Sequence, residues 1–411
     1  MLIENTRATR SAYGDELRAI MSIAKAKESR RWLASWPELT PTGTPLWPLP
    51  GLARALGVAQ VELKDESTRA SLGSFKALGA PIALIRLIQR RWPAAAFAAD
   101  ALFAGRHAAR LGDFTVISAT DGNHGRSLAA AAHDVGCRCV IVLHKNVSME
   151  REQAIASHGA TIVRIEGNYD ASVEEAARLA ALNGWHVVSD TSYEGYEEIP
   201  RDVMQGYGTI VAEILEQRRA ADDAHCPYTH VFLQGGVGGL AAGVASYLCE
   251  QYGARRPVLV VVEPQQADCL YQSAIAGQAA RATGSVDSVM AGLACGETSP
   301  LAWRFLQPAV DFFLTIDDEE AVAAMRRLAQ VADASGDVPV VSGESGAAGL
   351  AGLVHLLSDP ALRKKARLDA EARVLLISTE GATAPAVYRD LVGKNAQEIL
   401  SAQQAWQRRA G

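Results

Sequence analysis

The chain contains 411 residues, enough for roughly two or three domains of ordinary size, each with its own hydrophobic core. Hydrophobic residues make up 49% of it and charged residues 21%, which excludes a disordered, collagen-like or coiled-coil protein. The 40 Lys and Arg residues against 46 Asp and Glu give a net charge of −6, which argues against a protein that binds nucleic-acid phosphates. No apolar run reaches the roughly 18 residues of a membrane-spanning helix. Glu4 and Asp15 interrupt the N-terminus where a secretory signal would be apolar, so we expect a soluble, cytoplasmic protein without membrane contact.

The six cysteines do not form a disulfide framework for a chain of this length. Cys137 and Cys139 lie two residues apart in an apolar segment, so on a strand they would share one face. The sequence has no C-x-x-C and no H-x-x-x-H spacing, and this favours free thiols in the core over a zinc site.

Short apolar segments alternate with amphipathic ones along most of the chain. Strands shorter than helices and apolar on both faces are typical of parallel sheets covered on both sides, which bind ligands at the carboxyl ends of their strands. In chain order, the predicted strands are 61–63, 116–118, 140–143, 161–165, 186–188, 230–233, 258–262 and 374–377, and the predicted helices are 124–135, 149–157, 172–182 and 240–250.

This alternation predicts an α/β protein of two domains, each an open, mostly parallel sheet flanked by helices. Residues 85–200 contain four of the strands and are long enough to close a small domain. Residues 1–84 and 201–411 would together build a larger domain around it.

The first loop that suggests chemistry follows the strand 61–63 and contains Ser74, Phe75 and Lys76 near the start of a predicted helix. Apolar neighbours desolvate a lysine, which lowers its pKa and makes its amine a usable nucleophile. The alternative is an ordinary helix lysine whose stem packs on the surface while its amine reaches water.

The second loop reads Thr120-Asp121-Gly122-Asn123-His124 and runs from a strand end into a helix start. Backbone amides at a helix start are free to bind an anion, and this site suits a carboxylate. Thr and Asp are also common helix caps, so ordinary capping is the alternative.

The third loop contains Gly235, Gly236, Val237, Gly238 and Gly239, and it joins a strand to a helix. Glycine lets the backbone approach phosphate oxygens, and the helix dipole favours their charge. The loop lacks the Gly-Lys-Ser/Thr of a nucleotide-binding P-loop and the spacing of the dinucleotide fingerprint. It therefore favours a monophosphate cofactor held by amides, with a tight structural turn as the alternative.

A lysine amine, a carboxylate pocket and a monophosphate loop are together what pyridoxal-phosphate chemistry on an amino acid requires. With these three loops in this order, residues 40–390 resemble the fold type II pyridoxal-phosphate enzymes, typified by threonine dehydratase and the tryptophan synthase β chain. The resemblance implies pyridoxal 5'-phosphate as cofactor, a small amino-acid substrate and a homodimer.

Five motifs narrow the resemblance to the diaminopropionate ammonia-lyases of that family. The first motif is 120–125, in which Asp121 stands where most members have Ser or Thr. Ser74 departs from the family's pattern, because it stands where some relatives have Asn. The remaining motifs are 190–196 with Met204–Tyr207, then Met290–Glu297, Ser342–Gly346 and Ser378–Gly381. This similarity implies elimination of ammonia from D- or L-2,3-diaminopropionate to give pyruvate. A serine/threonine dehydratase or a β-replacing synthase on the same scaffold is the alternative, and a non-catalytic cofactor-binding protein is a third.

The resemblance also implies roles for single residues. Lys76 would hold the cofactor as a Schiff base, and Asp121 and Asp190 would be catalytic carboxylates near the two substrate amines. Asn123 would contact the phenolic oxygen of the cofactor, and either Ser378 or Thr379 would contact its pyridine nitrogen. The residues that would line the substrate are Ser74, Thr120, Asp121, Gly122, His124, Asp190 and Tyr193. A loop cap is the alternative role of Asp190.

Cys269 and Cys295 lie in two segments similar to those of the family and flank a glycine-bearing loop. A disulfide between them is conceivable on spacing alone. Since cytoplasmic thiols are reduced by default, we expect two free thiols.

Overall fold

The computed structural model describes residues 1–39, 42–120, 122–145, 147–167, 169–218, 225–331 and 335–410. Its strands are β1 Leu2–Glu4, β2 Leu46–Pro48, β3 Gln60–Asp65, β4 Thr115–Ala119, β5 Arg138–His144, β6 Thr161–Ile165, β7 His186–Val187, β8 His230–Gln234, β9 Val258–Pro264, β10 Phe312–Ile316 and β11 Arg373–Ser378.

Helices connect and cover these strands. They are α1 Asp15–Ile20, α2 Ile23–Leu33, α3 Pro50–Leu56, α4 Ala80–Arg91, α5 Ala99–Phe103, α6 Ala108–Leu111, α7 Asn123–Val135, α8 Met149–Ala156, α9 Tyr169–Asn183, α10 Glu198–Gln217, α11 Gly239–Tyr252, α12 Cys269–Ala276, α13 Pro300–Ala309, α14 Asp318–Ala329, α15 Ala348–Ser358, α16 Pro360–Lys365, α17 Pro385–Val392 and α18 Ala396–Ala410. In the described ranges, no helix is both long enough and apolar enough to cross a membrane.

The strands form two sheets. The larger has the order β1-β10-β9-β8-β11-β3-β2, parallel except for the antiparallel edge strands β1 and β2. The smaller has the order β6-β5-β4-β7 and is parallel throughout. The predicted α/β class with two mostly parallel sheets is therefore confirmed.

The side chains of β9 show why these strands are apolar on both faces. Leu259 and Val261 pack into the hydrophobic cluster on one side of the large sheet, and Val260 and Val262 pack into the cluster on the other side. Successive side chains of a strand point to opposite faces, so a sheet covered on both sides needs continuous apolar runs.

Each predicted strand is present within a few residues of its predicted bounds, but the strands β1, β2 and β10 were missed. Most of the helices other than α4, α7, α8, α9 and α11 were also not predicted. The strands of the small sheet all lie between residues 115 and 187, and those of the large sheet lie before and after them. The domain limits at residues 85 and 200 stay a prediction. The segment around Lys76 also differs, because a short 3-10 turn, Phe75–Leu78, precedes the α-helix that begins at Ala80.

A buried network of charges holds the loop after β3 against α10. The Glu213 carboxylate accepts hydrogen bonds from Lys64 Nζ at 2.7 Å and from two Arg69 nitrogens at 2.8 and 2.7 Å. Arg69 also donates to the Glu66 carboxylate. The Thr44 hydroxyl donates to Glu66 as well, at 2.7 Å. The network therefore fixes the chain segment just before Lys76 to α10.

Removing one member should leave the others as uncompensated buried charges. We expect Glu213→Gln to lower the free energy of unfolding by about 3–5 kcal/mol, because Lys64 and Arg69 lose their shared carboxylate. Glu216→Gln on the same helix is the matched control: its pair with Arg30 is exposed, and we expect less than about 1 kcal/mol. Denaturant unfolding of the three proteins measures both values. Equal losses in the two variants would contradict a stabilising role of the network.

The pH dependence of stability follows from the same contacts. Burial alone would raise the pKa of Glu213, but Arg69 and Lys64 outweigh burial and lower it to about 2. The carboxylate therefore stabilises the fold fully above its ordinary pKa of 4.5, and this contribution is lost as the pH falls toward 2.

Candidate active site

Loops after four strands meet at one pocket between the two sheets. Each of these loops follows the carboxyl end of β3, β4, β8 or β11, as expected for ligand sites in parallel sheets. The pocket is lined by Phe75, Lys76, Ala119, Thr120, Gly122, Asn123, His124, Arg151, Tyr169, Asp190, Tyr207, Gln234, Gly235, Gly236, Val237, Gly239, Leu240, Ala291, Gly292, Leu293, Ala294, Cys295, Ser345, Thr379 and Glu380.

Lys76 reaches this pocket from the turn Phe75–Leu78. The Ser74 hydroxyl accepts a hydrogen bond from the Lys76 amide at 3.3 Å, and the Phe75 amide donates to the Thr379 carbonyl at 3.0 Å. The Lys76 ammonium donates to Asp190 Oδ2, and the two side chains are only 18% and 16% exposed. The two residues that the sequence predicted as catalytic are therefore in direct contact.

The protonation of this pair differs from the sequence prediction. Burial lowers the pKa of Lys76, as expected, but the Asp190 carboxylate and the Tyr207 phenol raise it by more, so the net pKa is above its ordinary value. The predicted lowered pKa is therefore wrong for the pair as it stands. Burial likewise raises the pKa of Asp190, but the Lys76 charge outweighs burial and holds it well below its usual range.

His124 and Tyr207 complete the surroundings of the pair. His124 Nε2 lies 2.8 Å from the Val188 carbonyl, and its Nδ1 is 3.9 Å from Asp190 Oδ2. Burial lowers the pKa of His124, so the ring is neutral near pH 7. The Tyr207 ring packs against Phe75 with a centroid distance of 4.8 Å, and burial raises the pKa of its phenol.

The glycine loop after β8 leads directly into α11. Gly236 and Gly238 have φ of +67° and +100°, a region that side chains disfavour. A Cβ on Gly235 would lie 2.4 Å from Glu263 Cγ, so no larger residue fits there. Among the residues that the structure describes, the amides of Gly236, Val237 and Gly238 donate to no acceptor. The loop thus fits a monophosphate at a helix start, and pyridoxal phosphate with it.

The loop after β4 is closed by Thr120. Its hydroxyl accepts hydrogen bonds from the amides of Gly122 at 3.2 Å and Gly125 at 3.3 Å. Asn123 begins α7 and lines the pocket, and its Nδ2 donates to a Glu380 carboxylate oxygen. Asp121 lies outside the described residues, so its role stays a prediction.

The two candidate partners of the pyridine nitrogen have different surroundings. Ser378 is fully buried, and its hydroxyl donates to the Ser342 hydroxyl at 2.8 Å. Thr379 lines the pocket, whereas Ser378 does not. The choice between them stays a prediction, and this geometry favours Thr379.

Two predicted substrate contacts do not reach the pocket wall in this structure. Tyr193 is 45% exposed and stacks on Tyr196 at a centroid distance of 4.8 Å. Ser74 is buried beneath the pocket, where it caps the turn that carries Lys76. Their roles as substrate contacts therefore stay predictions that this geometry does not support.

Several pocket residues were not singled out from the sequence. Tyr207 and Glu380 belong to motifs that carried the resemblance. That membership is the signal that could have placed them in the pocket. The other missed residues with polar side chains are Arg151, Tyr169, Gln234 and Ser345. Cys295 was singled out only as a possible disulfide partner, not as a pocket residue.

No disulfide bond joins Cys269 and Cys295 in the described structure, and their redox state stays a prediction. Cys269 is buried, and its thiol donates to the Gly236 carbonyl at 3.4 Å. Cys295 lines the pocket, where its sulfur lies 3.6 Å from the position of a Cβ on Gly236.

Comparison with known proteins agrees with this site. Residues 38–380 match the family model described as "Pyridoxal-phosphate dependent enzyme". Over 358 residues the chain is 40% identical to the diaminopropionate ammonia-lyase of Salmonella typhimurium. The aligned region covers 85% of this chain and 87% of that protein.

Solved structures of the Escherichia coli diaminopropionate ammonia-lyase match as well. The selenomethionine holo structure has a TM-score of 0.85 and 36% identity, and it covers 95% of this chain and 96% of its own. A second structure of that enzyme, in complex with an aminoacrylate-PLP azomethine reaction intermediate, has a TM-score of 0.84 at 36% identity and the same coverage. This chain therefore belongs to the diaminopropionate ammonia-lyases, within the family of pyridoxal-phosphate dependent enzymes.

Proposed function

We propose that this protein uses pyridoxal phosphate to convert 2,3-diaminopropionate and water to pyruvate and two molecules of ammonia. The observation that carries the proposal is the buried contact between the Lys76 ammonium and the Asp190 carboxylate in the pocket. An amine that forms an imine and a carboxylate that binds a second ammonium suit a substrate with two amino groups.

The residues that would hold the cofactor surround Lys76. When bound, pyridoxal phosphate supplies an imine and an electron-withdrawing ring that stabilise negative charge at the substrate Cα. The free amides of Gly236, Val237 and Gly238 would bind its phosphate. Asn123 would contact the phenolic oxygen and Thr379 the pyridine nitrogen.

The chain's own groups can move the protons that elimination requires. Removal of ammonia needs a base for the proton on Cα and an acid for the leaving amine. Lys76 Nζ holds a proton beside Asp190, so it can exchange one with the substrate while Asp190 stays ionised. Neutral His124 lies beside Asp190, with its Nδ1 3.9 Å from Asp190 Oδ2.

The two enantiomers present opposite faces of Cα, which calls for two bases. We infer that Lys76 serves the L-form, with Asp190 binding the distal ammonium, and that Asp121 serves the D-form. A carboxylate at position 121 can accept a proton or pair with an ammonium near neutral pH, which the more usual Ser or Thr cannot do.

A substrate panel tests the proposed reaction. Purified holoenzyme is assayed for ammonia and pyruvate with D- and L-2,3-diaminopropionate, D- and L-serine and L-threonine. We expect two ammonia per pyruvate with diaminopropionate, and a higher kcat/KM than for any hydroxy amino acid. Preferred turnover of serine or threonine, with one ammonia per keto acid, would establish the dehydratase alternative instead. Product formation only with an added nucleophile would establish a β-replacing synthase, and no product at all a non-catalytic protein.

Asp121→Asn should separate the two enantiomers. We expect the rate with the D-form to fall by about 10²–10⁴, because a general base is lost, while the rate with the L-form stays within about tenfold. The same assay on Asp190→Asn is the comparison. In that variant, the rate with the L-form should fall more than the rate with the D-form. Equal losses of both enantiomers in Asp121→Asn would refute the two-base hypothesis and leave Asp121 as a shared ammonium anchor.

Two wider expectations are also proposals for this chain. The resemblance suggests a homodimer, and the composition suggests a cytoplasmic location.

A further inference from the structure

Glu380 is a buried carboxylate at the pocket wall that the proposed reaction does not use. It follows Thr379 after β11, is only 3% exposed and lines the pocket. A buried carboxylate is costly unless it is hydrogen-bonded, so its partners define what it does.

Three donors converge on this carboxylate. Asn123 Nδ2 and the Thr383 hydroxyl, the latter at 3.3 Å, donate to Oε2, and the Ser345 amide donates to Oε1 at 3.2 Å. An ionised carboxylate accepts at both oxygens and donates nothing, so it suits three donors at once. A neutral amide of the same shape cannot, because its nitrogen end is a donor.

The Asn123 amide is consequently fixed in one orientation. A carboxylate partner requires the amide nitrogen of Asn123 to face Glu380, which settles which end is which. No other side-chain hydrogen bond of Asn123 occurs within the part of the chain that the structure describes. Its Oδ1 and its second N–H are therefore left for a ligand of the pocket.

This hydrogen bond also joins the two sheets. Asn123 follows β4 of the small sheet, whereas Glu380 follows β11 of the large one. The Glu380 main chain is itself anchored, since its carbonyl accepts from the Gly343 amide at 2.9 Å and it forms a β-bridge with Ser74. The hydrogen bond to Glu380 therefore ties the Asn123 side chain to an anchored part of the large sheet.

Glu344 is a second buried acid close to Glu380. Glu344 is 2% exposed, and burial and the negative charge of Glu380 raise its pKa to about 7. Of these two acids, Glu380 is the one that accepts hydrogen bonds from three donors.

We propose that Glu380 is a positioning residue, whose carboxylate fixes the Asn123 amide across the pocket and so orients it toward the cofactor. This inference rests on the proposed function only in that the pocket binds pyridoxal phosphate.

The test compares Glu380→Gln with Glu344→Gln in the full chain reconstituted with pyridoxal phosphate. A glutamine at 380 must turn a donor toward Asn123 or Ser345, so Asn123 should rotate and present Oδ1 instead. We expect the cofactor Kd to rise about 10–100-fold, since a charge-assisted hydrogen bond is lost. We also expect the pH titration of the visible absorbance band to shift. Glu344→Gln, which has no contact with Asn123, should stay within about twofold of wild type in cofactor Kd.

A double-mutant cycle shows whether Glu380 acts through Asn123. Asn123→Ala should raise the cofactor Kd as Glu380→Gln does. The cofactor Kd of the double variant should exceed that of Asn123→Ala by no more than about twofold. Fully additive losses, or an unchanged Kd and titration in Glu380→Gln, would overturn the proposal. Glu380→Asp, which keeps the charge but is one methylene shorter, takes the place of the glutamine variant in the cycle if the latter does not fold.

The outcomes are distinguishable from a failure of the proposed function. Cofactor Kd and absorbance are measured without substrate, so they report on Glu380 even if diaminopropionate is not turned over. A wild-type protein that binds no pyridoxal phosphate would overturn both.

Discussion

Replacing Lys76 with alanine should lower kcat/KM for diaminopropionate by about 10⁴ or more, because one side chain supplies both the imine-forming amine and a proton-transfer group. Lys76→Arg should lose nearly as much activity while it keeps a cation beside Asp190. The arginine variant therefore separates the chemistry of the amine from the ion pair. Ammonia and pyruvate release measures both variants, and the exposed Lys25 on α2, replaced by alanine, is the control.

Covalent labelling tests the same assignment without turnover. Borohydride reduction of the holoenzyme fixes the cofactor on its lysine, and peptide mapping should place the label on the peptide that contains Lys76. Label on another lysine, or Lys76→Ala with near wild-type activity, would refute the assignment.

Gly236→Asp should weaken cofactor binding by at least about 10²-fold. Its φ of +67° disfavours any side chain, and a Cβ there would lie 3.4 Å from the Gly292 carbonyl and 3.6 Å from the Cys295 sulfur. A carboxylate at this place also repels the phosphate that the free amides would bind. The fraction of cofactor retained after dialysis, read from the visible absorbance, measures the effect.

A second glycine provides a matched control for backbone strain. Gly393 has φ of +80° at the end of α17, and a Cβ there would have no atom within 4 Å. Gly393→Asp therefore carries a similar backbone cost of roughly 1 kcal/mol without touching the pocket. It should retain the cofactor like wild type. If Gly236→Asp retains it equally well, the glycine loop does not bind the phosphate.

Much of the fold follows from local pattern. The uniformly apolar runs at 258–262 and 374–377 became β9 and β11, because a strand buried on both faces leaves no room for polar side chains. The three loops were predicted to bear chemistry from their residues: a lysine between apolar neighbours, amides at a helix start and a run of glycines. They do meet at one pocket.

What the sequence could not predict depends on contacts distant in the chain. The pKa of Lys76 is set by Asp190, 114 residues away, and local neighbours gave the opposite direction. Tyr193 lies in a motif typical of the family, yet its ring stacks on Tyr196 at the surface instead of lining the pocket. Glu380 is 257 residues from Asn123, so their hydrogen bond becomes visible only once the two sheets are placed together.

The assembly of the pocket from loops of both sheets couples the cofactor to the folding of the whole chain. Partners so distant in sequence come together only after both sheets have formed, so a partly folded chain has no complete site. Pyridoxal phosphate would then bind the native state alone and stabilise it by RT ln(1 + [L]/Kd), about 2.7 kcal/mol when the free cofactor is 100 times its Kd. The supply of cofactor would thereby set how long the folded protein persists against local opening and proteolysis.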